Sequence, residues 1–159
     1  MIALRFMAVL ILITGVLYPL AVTAVSEIFF SEKARGSLIY QDQKVLGSRL
    51  IAQSFESPKY FWPRPSANGH QHPSGGSNLS PATAAFWKDQ RIMASASGLD
   101  PHILPEQALA QVARIAYSRG ISPEIIKTLV ISQMESPDLG LFGEARVNVL
   151  TLNMALDTL

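Results

Sequence analysis

The feature that most constrains this chain is a charge-free run from Phe6 to Ser26, which opens as unbroken hydrocarbon from Phe6 to Ile13. A helix of ~20 residues rising ~1.5 Å per residue crosses a ~30 Å hydrocarbon core. The sequence therefore predicts a cytoplasmic N-terminus over residues 1–5, a transmembrane helix over residues 6–26 and one water-facing domain over residues 27–159.

The same residues also resemble a secretory signal peptide, because Arg5 precedes the apolar run and the small residues Val22-Thr23-Ala24 could precede a cleavage site. The apolar character continues past a usual signal-peptide core, and Pro19 is tolerable in a membrane helix. These two features favour an uncleaved anchor. Both interpretations place the domain outside the cytoplasm, since positive charge tends to stay inside.

Charge and cysteine content exclude several classes of function. The chain has 13 Lys and Arg and 12 Asp and Glu, and only Arg5 precedes residue 27, so the domain is formally neutral. Without a basic stripe or a polybasic flank, we expect no nucleic-acid partner and no strong attraction to anionic lipid. The absence of cysteine excludes a disulfide framework, a thiolate metal site and a cysteine nucleophile.

The patterns along the domain predict an α+β fold, in which the single N-terminal transmembrane helix is followed by one small mixed α/β extracytoplasmic domain. Two short apolar runs around Gln41-Asp42-Gln43 predict a hairpin within residues 36–55. Frequent proline and glycine over residues 58–81 predict an ordered irregular loop. Three helices are then expected. The first begins at Pro105 and stops at Gly120, and the second begins at Pro123, is capped by Ser122 and ends before Pro137. The third lies within residues 147–156 and follows a short extended segment.

Most residues that could carry chemistry have a simpler interpretation. The turn Ser74-Gly75-Gly76-Ser77-Asn78 resembles a phosphate cradle but lacks the lysine of a Walker loop, so a glycine turn capped by Asn78 is favoured. His70, His72 and His102 lack the spacing of metal ligands, and no metal site is predicted. Asp100 lies near Ser95, Ser97 and His102, and we expect it to bond the turn before the next helix rather than to serve a hydrolase triad. Trp62 and Trp87 are expected in the core or in an interface.

Several ordered blocks together resemble one family, the C chain of the bacterial potassium-transporting P-type ATPase (the Kdp system). The resemblance covers nearly the whole chain and departs from the family pattern at Ala52 (usually glycine), Leu104 (usually serine) and Ala145 (usually proline). The blocks are Thr14–Pro19, Gly47–Phe55, Tyr60–Ala67, Ser74–Leu79, Ala94–Ile103, Gln111–Arg114 and Leu141–Leu150.

The resemblance implies an accessory, non-catalytic subunit in the bacterial inner membrane. Its partners would be a potassium-channel-like subunit and a P-type subunit that hydrolyses ATP. The family's C chain is described as a catalytic chaperone that raises the ATP affinity of the pump subunit, which makes Gln53 and the turn Ser74, Gly75, Gly76, Ser77 and Asn78 candidates for nucleotide contact. No cofactor is expected to be tightly bound, because ATP is cytoplasmic and the domain should lie outside. The alternative is a periplasmic binding or hydrolytic protein released by signal cleavage.

One face of the membrane helix is expected to contact a partner helix. Thr14, Tyr18 and Val22 follow four-residue spacing with Gly15 beside them, and small or hydroxyl side chains favour close helix packing in lipid. The alternative is lipid exposure on all sides, with Tyr18 near the headgroups. The outer domain is expected to pack over the transport subunit. Four acidic residues could influence a nearby cation path, although each singly is expected to be a solvated surface group: Asp100, Glu135, Asp138 and Glu144.

Overall fold

The structure, a computed structural model, describes residues 1–41, 43–76, 78 and 94–159. These residues form two compact units, residues 1–46 and 47–159. Among the residues named above, Asp42, Ser77, Leu79 and Trp87 lie outside the described residues.

The first unit begins with a helical run, Ile2–Phe29, of 28 residues, which is long and apolar enough to cross a membrane. It contains the predicted span 6–26. The run consists of α1 (Ile2–Leu12), a π-helical turn (Ile13–Leu17) and α2 (Tyr18–Phe29). A short helix, α3 (Ser31–Ala34), and the predicted hairpin follow, the hairpin formed by β1 (Leu38–Gln41) and β2 (Lys44–Ser48).

The second unit is a mixed α/β structure, as predicted. Its elements are β3 (His102–Ile103), α4 (Pro105–Arg119), α5 (Pro123–Ser132), β4 (Met134–Glu135), β5 (Arg146–Asn148) and α6 (Val149–Leu156). The sheet has the order β3-β5-β4, with antiparallel pairing on both sides of the central strand β5, where Val147 lies opposite both Ile103 and Met134.

The core of this unit lies where the three helices meet the sheet. Apolar residues at helical spacing on α4 and α5 face inward because that spacing places them on one side of the helix. Burying them removes apolar surface from water, which is the main favourable contribution to folding. The buried cluster comprises Phe61, Ile103, Ala108, Val112, Ile115, Ala116, Ile126, Val130, Val147, Val149, Leu152 and Leu156.

The predicted helices are confirmed, with two corrections. Helix α4 ends at Arg119, and the predicted stop residue Gly120 follows as its C-cap, with a φ of 69° that suits glycine. Helix α5 ends at Ser132 rather than near Pro137, because Met134 and Glu135 leave it to pair with β5. The predicted cap of α5 is also wrong: Ser122 occupies the N-cap position, but its side chain makes no capping hydrogen bond. Asn148 instead caps α6, accepting from Leu150 N and Thr151 N.

Candidate functional site

The predicted partner face of the membrane helix is exposed along its length. The side chains of Tyr18 and Val22 are 66% and 46% exposed. The Thr14 hydroxyl donates to Leu10 O at 2.7 Å, so it is already satisfied within the helix. A Cβ added at Gly15 would have Ile11 Cγ2 at 3.9 Å as its nearest neighbour, so Gly15 leaves an open notch.

The π-helical turn changes the backbone hydrogen-bonding groups that this face presents to a neighbouring helix. Tyr18 N donates to Ile13 O, five residues earlier, and not to Thr14 O as it would in an α-helix. The next residue, Pro19, has no N–H to donate. The Thr14 carbonyl therefore lacks both of its regular helical donors, and an unsatisfied carbonyl in hydrocarbon is costly. The face combines a small notch at Gly15 with a backbone acceptor at Thr14.

In the second unit, side chains of two helices hold the aromatic loop Tyr60-Phe61-Trp62. Asn153 bonds both backbone groups of Phe61, and Gln111 bonds both those of Trp62, at distances between 2.8 and 3.1 Å. The predicted ordered loop is confirmed for its described part, which contains neither helix nor strand. Phe61 is fully buried in the core, whereas Trp62 keeps 38% of its surface exposed.

Two arginines of α4 reinforce the same loop. Arg114 donates to Tyr60 O at 3.0 Å and to Gln111 Oε1 at 2.7 Å, and its guanidinium lies 3.7 Å from the centre of the Trp62 ring system. Burial lowers the pKa of Arg114 from its ordinary value. Arg119 donates to Lys59 O at 2.8 Å. The loop is thus a fixed part of the folded unit, and Gln111 and Arg114 have a structural role that their sequence pattern did not reveal.

The glycine turn packs closely against a second loop. A Cβ at Gly76 would lie 2.8 Å from Ala96 O, and one at Gly98, whose φ is +73°, would lie 2.7 Å from Gly75 O. A Cβ at Gly75 itself would meet no atom within 4 Å. Gly76 and Gly98 are therefore required by the approach of two backbones, which accounts for this glycine content without a phosphate.

The remaining candidates for nucleotide contact are Gln53, Ser74, Ser77 and Asn78. The Gln53 side chain packs on Gly47, where a Cβ would also lie 3.1 Å from Leu150 Cδ2. Asn78 is exposed, with a φ of 52°, and Ser74 is also exposed. The predicted cap by Asn78 stays a prediction, and Ser77 lies outside the described part of the chain.

A shallow cavity of about 520 Å³ lies beside Asp100. Asp100 accepts from His102 N at 3.0 Å and from Arg64 Nη1 at 2.8 Å, while Ser95 Oγ accepts from Asp100 N at 3.2 Å. Asp100 thus bonds the turn before α4, as predicted. The cavity is lined by Leu50, Ile51, Arg64, Ser95, Ala96, Ser97, Leu99, Asp100 and Pro101.

The acidic side chains named above are mostly ion-paired. Arg146 bonds Glu135 at 3.0 Å and Asp138 at 3.2 Å, and hydrogen bonds to Asp138 and then Glu135 raise its pKa. Asp100 is paired with Arg64, whereas Glu144 is exposed. Of these four carboxylates, only Glu144 is available as a simple solvated charge. Across the described ranges, no three His, Asp or Glu side chains come together as metal ligands.

Comparison with known proteins identifies a family over both units. The family described as "KdpC: K+-transporting ATPase, c chain" matches residues 1–91 and 88–158. The chain is 46% identical to the potassium-transporting ATPase KdpC subunit of Polaromonas naphthalenivorans, covering 99% of this chain and 93% of that protein. It is 43% identical to the KdpC subunit of Dechloromonas aromatica, with 98% and 95% covered, and 41% identical to that of Geobacter sulfurreducens, with 99% and 96% covered.

The chain is shorter than these relatives in its interior. The Polaromonas comparison extends over 182 residues, against a chain length of 159, so at least 23 positions of the relative have no counterpart here. The two family segments meet at residues 88–91, which indicates that the missing stretch belongs there. The break follows the glycine turn in the sequence.

Proposed function

Because the chain belongs to the KdpC family of K⁺-transporting ATPase c chains, we propose that it is a membrane-anchored accessory subunit of an ATP-driven potassium uptake complex. The observation that carries this proposal is the extent of the family match, which includes the apolar helix and the folded unit together. A subunit that keeps both parts can join the complex in the membrane and act on it from the water phase.

The proposed topology is single-pass in the bacterial inner membrane. Residues 1–5 are cytoplasmic, residues 6–26 span the membrane and residues 27–159 are extracytoplasmic. Support comes from the helical run Ile2–Phe29, and from Arg5 at its inner end, where positive charge is retained. The helix stays on the mature protein, because it is longer than a signal-peptide core.

We place the contact with the channel-like subunit on the helix face formed by Thr14, Gly15, Tyr18 and Val22. Gly15 allows a partner helix to approach closely, and the Thr14 carbonyl can accept a hydrogen bond from a hydroxyl or amide side chain of that partner. Such a bond would satisfy a group that lipid cannot.

The chain contributes no catalytic residue in this proposal, and it raises ATP affinity in the pump subunit through protein contacts. Nucleotide contact by Gln53, Ser74, Gly75, Gly76, Ser77 and Asn78 is the less favoured route. The backbone packing around Gly76 gives the turn another role, and an extracytoplasmic domain does not meet cytoplasmic ATP.

The test is the mass of the chain recovered from native membranes with a C-terminal tag. We expect a membrane-bound species that retains residues 1–24, together with the channel-like and ATP-hydrolysing subunits. A soluble species that begins after Ala24 and elutes alone would overturn the proposal, and would favour a released periplasmic protein.

A further inference from the structure

The loop between β4 and β5 carries three large apolar side chains that the folded unit does not cover. Leu139, Leu141 and Phe142 are 90%, 83% and 64% exposed. Scattered exposed apolar residues are common, but a cluster within four successive positions indicates an interaction site. We call these three residues the apolar tip.

The backbone presents the tip in a strained conformation. Leu139 has a φ of 55° and Gly140 a φ of 74°, both in the left-handed region. Leucine enters this region rarely, and such strain persists only where the surrounding structure holds it. Here Asp138 N donates to Phe142 O at 2.9 Å and Phe142 N donates to Asp138 O at 3.0 Å, which closes the turn.

The base of the loop is fixed on both sides. Glu135 on β4 lies opposite Arg146 on β5, and the Arg146 guanidinium bonds the carboxylates of Glu135 and Asp138. The two strands and this bridge therefore hold the tip before any partner binds. A preorganised apolar group loses less conformational entropy on binding than a flexible one.

We propose that the apolar tip inserts into an apolar socket, rimmed by basic side chains, on a neighbouring protein subunit. The net negative charge around the tip favours a partner surface that carries basic side chains. Glu135, Asp138 and Glu144 outnumber Arg146, the only Lys or Arg between positions 135 and 146. An anionic membrane surface would repel this acidic base, whereas a basic rim would attract it. The inference rests on the proposed function, which places such subunits beside this chain.

The first experiment identifies what the tip touches. A photo-reactive phenylalanine analogue replaces Leu141 in the full chain, and in a matched control it replaces Tyr117, which is 93% exposed elsewhere on the same unit. Irradiation of native membranes should crosslink position 141 to another subunit of the same complex, identified by mass spectrometry, and should give no such adduct from position 117. A lipid adduct from position 141, or no adduct, would overturn the proposal.

The second experiment measures the contribution of the tip. The double variant Leu141→Ser, Phe142→Ser should lower the recovery of partner subunits with the tagged chain by about tenfold, as expected for apolar anchors. Its melting temperature should match the wild type, because both side chains are exposed, and Tyr117→Ser should leave recovery unchanged. If wild type recovers the subunits and the double variant recovers them equally, the tip proposal fails alone. If wild type recovers none, the proposed function fails.

Discussion

The amide of Asn153 bonds both backbone groups of Phe61: Oδ1 accepts from Phe61 N at 2.8 Å and Nδ2 donates to Phe61 O at 3.0 Å. A side chain on α6 thus replaces the neighbouring strand that an extended segment would otherwise need. Gln111 on α4 does the same for Trp62. The arrangement lets Phe61 occupy the core although it belongs to a proline-rich loop.

Replacing Asn153 with alanine should therefore destabilise the folded unit strongly. The change leaves two buried backbone groups of Phe61 unpaired, a loss of roughly 2–4 kcal/mol in unfolding free energy. Urea unfolding of the full chain in detergent measures it. Thr128→Ala is the control, because its hydroxyl bonds an exposed helical carbonyl and its loss should change stability by less than about 0.5 kcal/mol. Equal midpoints for the two variants would contradict the structural role of Asn153.

Replacing Leu104 with serine should stabilise the chain. Leu104 is the N-cap of α4 with an extended backbone (φ −69°, ψ 148°), and leucine supplies no capping oxygen. Gln107 Oε1 already accepts from Leu104 N at 3.2 Å, so serine would complete a capping box. The gain should be about 1 kcal/mol in unfolding free energy. Leu104→Ala is the control: if alanine raises the melting temperature as much as serine, the gain comes from removing an exposed leucine and not from the cap.

An element of the fold can be predicted from the sequence only where its apolar pattern extends over enough residues. The N-terminal run is apolar over many turns, and helix α4 repeats an apolar face, so the sequence predicts a helix at both places. The predicted span 6–26 lies inside the helical run Ile2–Phe29, and α4 begins at Pro105 and is followed by Gly120, as predicted. Strands β3 and β4 have two residues each, too few for any alternation, and exist because β5 pairs with them. Periodicity cannot show such pairing.

Some features of the candidate sites can likewise be predicted from the sequence, whereas others depend on backbone geometry or on residues far away in the chain. The helix face could be proposed from spacing alone, but the π-helical turn that leaves the Thr14 carbonyl without its regular donors depends on backbone geometry. The glycine turn suggested phosphate because Gly-Gly motifs serve both phosphate loops and close backbone contacts. Only the 2.8 Å approach to Ala96 O distinguishes these two uses at Gly76. The roles of Gln111 and Asn153 depend on residues about 50 and 90 positions away, which no local pattern contains.

The packing of the glycine turn predicts different effects for alanine at Gly76 and at Gly75. Gly76→Ala should lower the melting temperature because its Cβ would crowd Ala96 O, whereas Gly75→Ala should be tolerated because its Cβ would meet no atom within 4 Å. Calorimetry of the full chain with ATP and magnesium should show no micromolar binding for wild type or Gly75→Ala. Micromolar binding that Gly75→Ala or Gln53→Ala abolishes would contradict this interpretation and restore the nucleotide-contact role.

Replacing Gly15 with leucine should weaken the retention of the chain in its complex. Leucine fills the notch beside the Thr14 carbonyl and keeps a partner helix at a distance. The amount of channel-like subunit that co-purifies should fall by about fivefold or more, the equilibrium change that ~1 kcal/mol produces. Val16→Leu is the control, because a residue two positions after Thr14 lies on the far side of the helix. Equal losses in both variants would mean that the helix has no specific face.

ATP hydrolysis in material purified from native membranes through a tag on this chain tests whether the chain is a working subunit of a potassium-transporting ATPase. We expect ATPase activity that potassium stimulates. This activity should be absent from the eluate when the tag is placed on residues 27–159 alone, because the membrane helix is then missing. Recovery of the intact full-length chain without potassium-stimulated ATPase activity would contradict this role.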